Sequence, residues 1–173
     1  MDLKNHIRTI PDFPKKGIMF RDVTTLMKNG ESFKYTIDQL YEKYSGQKID
    51  KIVGIESRGF IFGGALAYKL GIGFVPVRKP GKLPGEKVRV EYELEYGKDA
   101  LEIHKDAILP GENVLIIDDL IATGGTCLAA ISLVEKLNGN IVGCAFVVDL
   151  PELKGKEKLS NYQLFNLVEF EGH

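Results

Sequence analysis

The stretch from Asn113 to Leu128, Asn-Val-Leu-Ile-Ile-Asp-Asp-Leu-Ile-Ala-Thr-Gly-Gly-Thr-Cys-Leu, constrains the fold more tightly than any other part of the chain. Val114 to Ile117 form an unbroken aliphatic run, the pattern of a strand buried on both faces of a parallel sheet. Asp118 and Asp119 end that run, and paired acids at such a point are costly unless solvent, a hydroxyl-bearing ligand or a metal receives them. In Ala122-Thr123-Gly124-Gly125-Thr126 two glycines free the backbone to curl, and two threonines offer hydroxyls before an amphipathic segment begins. Backbone N–H groups at the start of a helix, together with its dipole, hold a dianion without needing a lysine. Taken singly, the acids read equally well as loop acids, and Thr-Gly-Gly-Thr as a turn with an N-cap. Taken together they suit a sugar phosphate gripped at both ends. No Gly-Lys-Ser/Thr follows the glycines and no Gly-x-Gly-x-x-Gly follows a strand, which argues against nucleoside triphosphates and dinucleotides.

This segment resembles the phosphoribosyl pyrophosphate signature of the type I phosphoribosyltransferases: apolar strand, Asp-Asp, a short spacer, Thr-Gly-Gly-Thr. The resemblance assigns the ribose hydroxyls to Asp118 and Asp119, and the 5-phosphate to Ala122, Thr123, Gly124, Gly125 and Thr126. Near the N-terminus, Pro11-Asp12-Phe13-Pro14, Gly17 and Phe20-Arg21-Asp22 resemble the hood that covers the base in the adenine-specific members. On residue types alone the same stretch reads as a core ring beside a surface ion pair. The resemblance makes Phe20 the stacking ring, Met19 the residue whose backbone meets the base edge, and Arg21 its neighbour. An aromatic pair is worth about 1 kcal/mol beyond burial. Adenine presents an N6 donor beside an N1 acceptor, which one backbone C=O and N–H satisfy, whereas a 6-oxopurine leaves both buried groups unpaired.

The remaining segments alternate strands with helices. Asp2 is expected to cap a short helix reaching Ile7 and Arg8, and Ile10 to Gly17, with two prolines and a glycine, an irregular course. Glu31 to Tyr44 carries Phe33, Ile37, Leu40, Tyr41 and Tyr44 at helical spacing. Lys51 to Ile55 reads as a buried strand feeding Glu56-Ser57-Arg58-Gly59 and a helical stretch from Phe60 to Leu70. Gly73 to Val77 is a further strand, opening into the cationic loop Arg78-Lys79-Pro80-Gly81-Lys82. Those cations read either as solvated surface charge or, at parallel strand ends, as groups facing the crevice of the two acids. The family resemblance casts Ser57, Arg58, Arg78, Lys79 and Lys82 as ligands of pyrophosphate.

From Lys87 to Glu95 polar and apolar residues alternate, and Gly97-Lys98-Asp99 is expected to turn the chain back into Ala100 to Ile103 as a projecting hairpin. Its glutamates suit a wet strand face. Leu94-Glu95-Tyr96-Gly97-Lys98 also resembles the catalytic flap of the family, which nominates Glu95 for the purine ring proton and places Tyr96 at the reacting centre. Thr126 to Leu137 reads as a helix, Ile141 to Val148 and Tyr162 to Phe170 as strands. Leu153, in a Leu-Lys-Gly-x-Glu-Lys-Leu stretch, is cast by the resemblance as the second face of the base site.

A chain of 173 residues is expected to form one domain, residues 1–173, with the hood at about 1–30. The expected fold is α/β, a mainly parallel central sheet flanked by helices. Net charge of −1, from 23 basic and 24 acidic residues, gives no field for nucleic acid. Cys127 and Cys144 read as reduced core residues, the three histidines lie too scattered for zinc, and no apolar run suits a membrane, so a cytoplasmic enzyme is expected. The family resemblance further implies adenine and phosphoribosyl pyrophosphate as substrates, AMP and pyrophosphate as products, Mg²⁺ on the diphosphate, and a homodimer. Two rivals predict other observations: a nucleic-acid-binding regulator requires a coherent basic surface, and a 6-oxopurine or pyrimidine enzyme a different base preference.

Overall fold

A computed structural model describes residues 1–94 and 97–172. A 3₁₀ turn at Leu3–His6, capped by the Asp2 carboxylate on the Lys4 N–H, leads into β1 (Arg8–Pro11), which pairs antiparallel with β2 (Met19–Asp22). This ribbon takes up part of the stretch expected to be irregular. Pro11 is tolerated because it ends a strand with one unpaired edge, where its missing N–H breaks no ladder. Helix α1 (Thr24–Lys28) was not legible in the sequence. Helix α2 (Gly30–Tyr44) is capped by the Asn29 side chain, which accepts from the Ser32 N–H, and buries Ile37, Leu40 and Tyr44.

Next come β3 (Lys51–Ile55), α3 (Arg58–Leu70), β4 (Gly73–Val77), the hairpin strands β5 (Lys87–Leu94) and β6 (Gly97–His104), and β7 (Asn113–Ile121). Helix α4 (Gly125–Lys136), β8 (Asn140–Asp149), a 3₁₀ turn at Pro151–Leu153, α5 (Gly155–Lys158) and β9 (Leu164–Glu169) complete the chain. Five strands form one sheet in the order β4-β3-β7-β8-β9, and every neighbouring pair is parallel.

Alternation along the central strands divides the core. Val114 and Ile116 face the side covered by α4 and the hairpin, while Leu115 and Ile117 face α2, α3 and the N-terminal segment. A sheet covered on both sides explains why these strands are apolar at every position. The chain leaves β3 toward β4 on one side, and β7, β8 and β9 lie on the other. The carboxyl ends of β3 and β7 therefore flank a topological switch point, where ligands of open α/β sheets bind.

Two expectations need correction. Strand β7 does not end at the acids: Asp118 pairs with Phe146, Leu120 with Val148 and Ile121 with Asp149, so the ladder with β8 carries it to Ile121. Nor do residues 97–99 form a turn. Leu94 pairs with Gly97 and Tyr92 with Asp99, which makes them part of β6. The hairpin is also rooted in the core, with Leu101 and Ile103 buried and the Glu102 backbone exchanging hydrogen bonds of 3.0 and 2.8 Å with Arg78. No helix among the described residues is long and apolar enough to cross a membrane.

Candidate active site

The segment after β7 folds as its glycines require. Gly124 adopts a left-handed φ of 87° as the residue before α4, and no side chain caps that helix, which leaves its first N–H groups directed at the curl. Residues 122–126 and Asp118 share the wall of one cleft of about 160 Å³, which Cys127 and Phe146 also line. Thr123 is exposed and Thr126 half-buried, so both are within reach of a ligand. The arrangement offers backbone and hydroxyl donors to an anion without any cation among the lining residues.

The two acids have different surroundings because adjacent strand residues point to opposite faces. Burial, then the charge of Asp119, pushes the Asp118 carboxyl well above its usual range, and Arg58 partly offsets this. Asp119 is buried and accepts from Arg58 Nε at 2.5 Å, while the Arg58 side chain keeps 41% of its exposure. The pair thus joins a buried carboxylate to a partly exposed guanidinium. Arg58 can approach because Gly59 carries no side chain: a Cβ there would lie 2.9 Å from the Ile117 carbonyl oxygen. The guanidinium also lies 6.0 Å from the Phe20 ring centroid, which joins the N-terminal ribbon to this edge. Phe13 meets Phe20 edge-on at 5.1 Å.

The cationic loops are clasped by carboxylates. Glu56 Oε1 accepts from Arg78 Nε at 3.1 Å and from the Lys79 N–H at 2.9 Å. Burial alone would raise the Glu56 carboxyl, but these bonds and the charges of Arg78 and Lys82 hold it below the usual range. Lys79 Nζ reaches Asp99 and, at 3.2 Å, the Tyr92 hydroxyl, both on the hairpin. The buried Glu102 accepts from the Gly81 N–H at 2.9 Å. Ser57 and Lys82 are exposed beside these groups. Neither Glu56, Asp99 nor Glu102 was picked out from sequence. Glu56 could have been, as an acid preceding two predicted cation loops at a strand end, whereas the hairpin acids depend on a register that spacing does not reveal.

Met19, Phe20 and Arg21 are consecutive on β2, and the Arg21 guanidinium donates to Thr9 Oγ1 at 2.7 Å and to the carbonyls of Glu171 and Gly172 at 2.9 Å each, over the Phe170 ring. Strand alternation turns it from the Phe20 face. Met19 is 42% exposed, and Leu153 is half-buried against the core on the α2 side. Glu95 and Tyr96 lie outside the described residues. A depression of about 560 Å³ between Pro84–Glu86 and His104–Asp106 contains none of the predicted ligands, so chemistry rather than size selects the site. Among the described residues no cluster of three or more His, Cys, Asp or Glu side chains could hold a metal.

Comparison with known proteins gives a consistent result. Residues 23–172 match the family model described as a phosphoribosyl transferase domain. The adenine phosphoribosyltransferase of Desulfosudis oleivorans is 59% identical over 172 residues, covering 99% of each chain. The crystal structure of the adenine phosphoribosyltransferase from Thermoanaerobacter pseudethanolicus superposes with a TM-score of 0.95 at 54% identity, covering 97% of this chain and 98% of that one. The enzyme from Saccharomyces cerevisiae, solved with an imino-altritol bisphosphate and adenine, superposes with a TM-score of 0.91 at 50% identity over 96% of both chains.

Proposed function

Because the chain belongs to the adenine phosphoribosyltransferase family, we propose that residues 1–173 act as one unit whose cleft at the β3–β7 switch point carries out that family's reaction. The reaction is transfer of a phosphoribosyl group from 5-phosphoribosyl 1-pyrophosphate to adenine, giving AMP and pyrophosphate. The observation that carries the site assignment is the single wall shared by Asp118 and the uncapped start of α4. A carboxylate and a set of free backbone donors on one wall support a site for a sugar phosphate.

Each group has a part in the chemistry. The 5-phosphate sits in residues 122–126, and Asp118 and Asp119 receive the ribose hydroxyls. As the anomeric C–O bond breaks, the sugar gains oxocarbenium character and the leaving diphosphate gains charge. Asp118 and Asp119 lie beside the former, and Ser57, Arg58, Arg78, Lys79 and Lys82 receive the latter. Magnesium fits as an ion carried on the substrate's diphosphate oxygens and water, the usual mode for an ion that dehydrates reluctantly, and when bound it neutralises departing charge. Phe20 and Leu153 enclose adenine. Among the described residues strand β2 pairs with β1 alone, which leaves its outer backbone groups near Met19 to read the N1 and N6 edge. Arg21 acts at one remove, through the ribbon it anchors. Glu95 handles the purine ring proton and Tyr96 lies at the reacting centre. The enzyme is cytoplasmic and pairs with a second copy; exposed Ile61 (46%) and Tyr68 (90%) on α3 support such pairing, which sedimentation at micromolar concentration tests.

The deciding assay supplies phosphoribosyl pyrophosphate, Mg²⁺ and one base at a time, and follows pyrophosphate release. Adenine alone is expected to support rapid turnover. Faster release with hypoxanthine, guanine or orotate would overturn the base assignment. Glu95→Ala is expected to depress kcat far more than phosphoribosyl pyrophosphate affinity, and an unchanged kcat would remove Glu95 from its role.

A further inference from the structure

Two backbone segments meet behind the 5-phosphate loop more closely than side chains allow. A Cβ on Gly155 would lie 2.5 Å from the Ala122 carbonyl oxygen and 2.8 Å from Ile121 Cγ1, and a Cβ on Gly124 would lie 2.9 Å from the Gly155 carbonyl oxygen. Real Cβ contacts essentially never fall below 3.0 Å, so both positions are glycine because the loop rests directly on the start of α5.

That support is fixed to the sheet on both sides. Upstream, the Leu150 N–H donates to the Ile121 carbonyl at 3.1 Å, and Leu153 packs on the core. Downstream, Leu159 is fully buried. Between them Lys156 Nζ lies 3.3 Å from Asp149 Oδ2, a carboxylate 1% exposed whose oxygens make no other polar contact among the described residues, and 3.5 Å from Glu169. A buried carboxylate with one cationic neighbour holds that cation strongly, since separating them leaves the charge unpaired.

Resting on the assignment of residues 122–126 to the 5-phosphate, we propose that Gly155 is a positioning residue, a backstop on which that loop is seated. The same segment carries Leu153, so base side and phosphate side of the cleft share one rigid support. A methyl group added at Gly155 meets an anchored α5 behind it and a loop of free donors in front. The loop yields, and the N–H groups at Gly124 to Thr126 leave their positions.

Gly155→Ala in the full chain tests this through two affinities that a general loss of stability would move together. Ribose 5-phosphate, titrated calorimetrically, is expected to bind at least about tenfold more weakly, and KM for phosphoribosyl pyrophosphate to rise in step, while KM for adenine changes less than about threefold. Folded Gly155→Ala protein that binds ribose 5-phosphate as the parent does overturns the proposal. Thr126→Val separates this from failure of the underlying assignment. If Thr126→Val leaves ribose 5-phosphate affinity intact, the loop is not the phosphate site; if it weakens binding and Gly155→Ala does not, the loop assignment stands and the backstop falls. Should Gly155→Ala fail to fold, Lys156→Met loosens the anchor, and an about threefold rise in KM for phosphoribosyl pyrophosphate alone is expected. An unchanged value overturns the proposal. Gly46→Ala, whose added methyl meets nothing within 4 Å in the turn after α2, is the control and leaves both KM values as they were.

Discussion

In the proposed assignment the two ends of the cleft hold phosphate by opposite means. At the 5-phosphate end, residues 122–126 offer backbone and hydroxyl donors and no cation. At the diphosphate end, three of the four assigned cations already have a carboxylate: Arg58 has Asp119, Arg78 has Glu56, Lys79 has Asp99. One end is ready before substrate arrives, and the other must exchange partners. Preformed donors cost no reorganisation on binding, whereas breaking an existing ion pair offsets part of what the new one contributes. The contrast suits the reaction, because the 5-phosphate stays with the sugar throughout while the diphosphate must leave.

Disturbing the preformed end should do the most harm. Gly124→Ala forces a side chain into φ 87° and against Gly155, and kcat/KM for phosphoribosyl pyrophosphate is expected to fall about 100-fold. A loss below about fivefold would show that the loop adapts instead. Next in size, Asp118→Asn removes a carboxylate that burial and Asp119 both disfavour. Turnover is expected to drop about tenfold or more while the melting temperature rises by a few degrees, an activity–stability exchange read by steady-state kinetics and calorimetry.

Salt sharpens the comparison directly. Raising ionic strength from about 0.05 to 0.5 M should weaken pyrophosphate binding several-fold and ribose 5-phosphate binding by less than about twofold. Equal sensitivity at both ends would erase the distinction. Acid gives a further test of the exchanging end. The Glu56 carboxyl is held below its ordinary value, so its contribution to stability is complete above that value and is lost as pH falls through the lowered one. The melting-temperature gap between parent and Glu56→Gln should therefore be constant from neutrality down to about pH 5 and close below pH 4. The smallest effect is expected at the hairpin: Asp99→Asn frees Lys79, and pyrophosphate should bind about two- to threefold more tightly.

Legibility from sequence followed the same division. Lys51–Ile55 and Gly73–Val77 were read with their true limits, because the first is buried on both faces and the second, though an edge strand, is an apolar run too. The glycine-threonine curl was legible too, since its chemistry lies in consecutive residues. What escaped reading depends on partners distant in sequence. Strand β7 runs through its acids because β8 continues to pair with it, and the Lys79–Asp99 contact requires a hairpin register that Gly97 suggested wrongly. Gly155 looked like an ordinary loop residue, and a close backbone approach leaves no trace beyond the glycine itself.

The grip of Arg21 on the carbonyls of Glu171 and Gly172 has a practical side. It ties the last described residues to the ribbon that bears Phe20, about 150 positions earlier, so a purification handle appended at the carboxyl terminus would tug on the proposed adenine pocket from behind. Enzyme prepared that way should be compared with amino-terminally tagged material before any base preference is assigned to it. If that ribbon shifts, the affinity for the nucleobase will register it and the grip on the sugar phosphate will not.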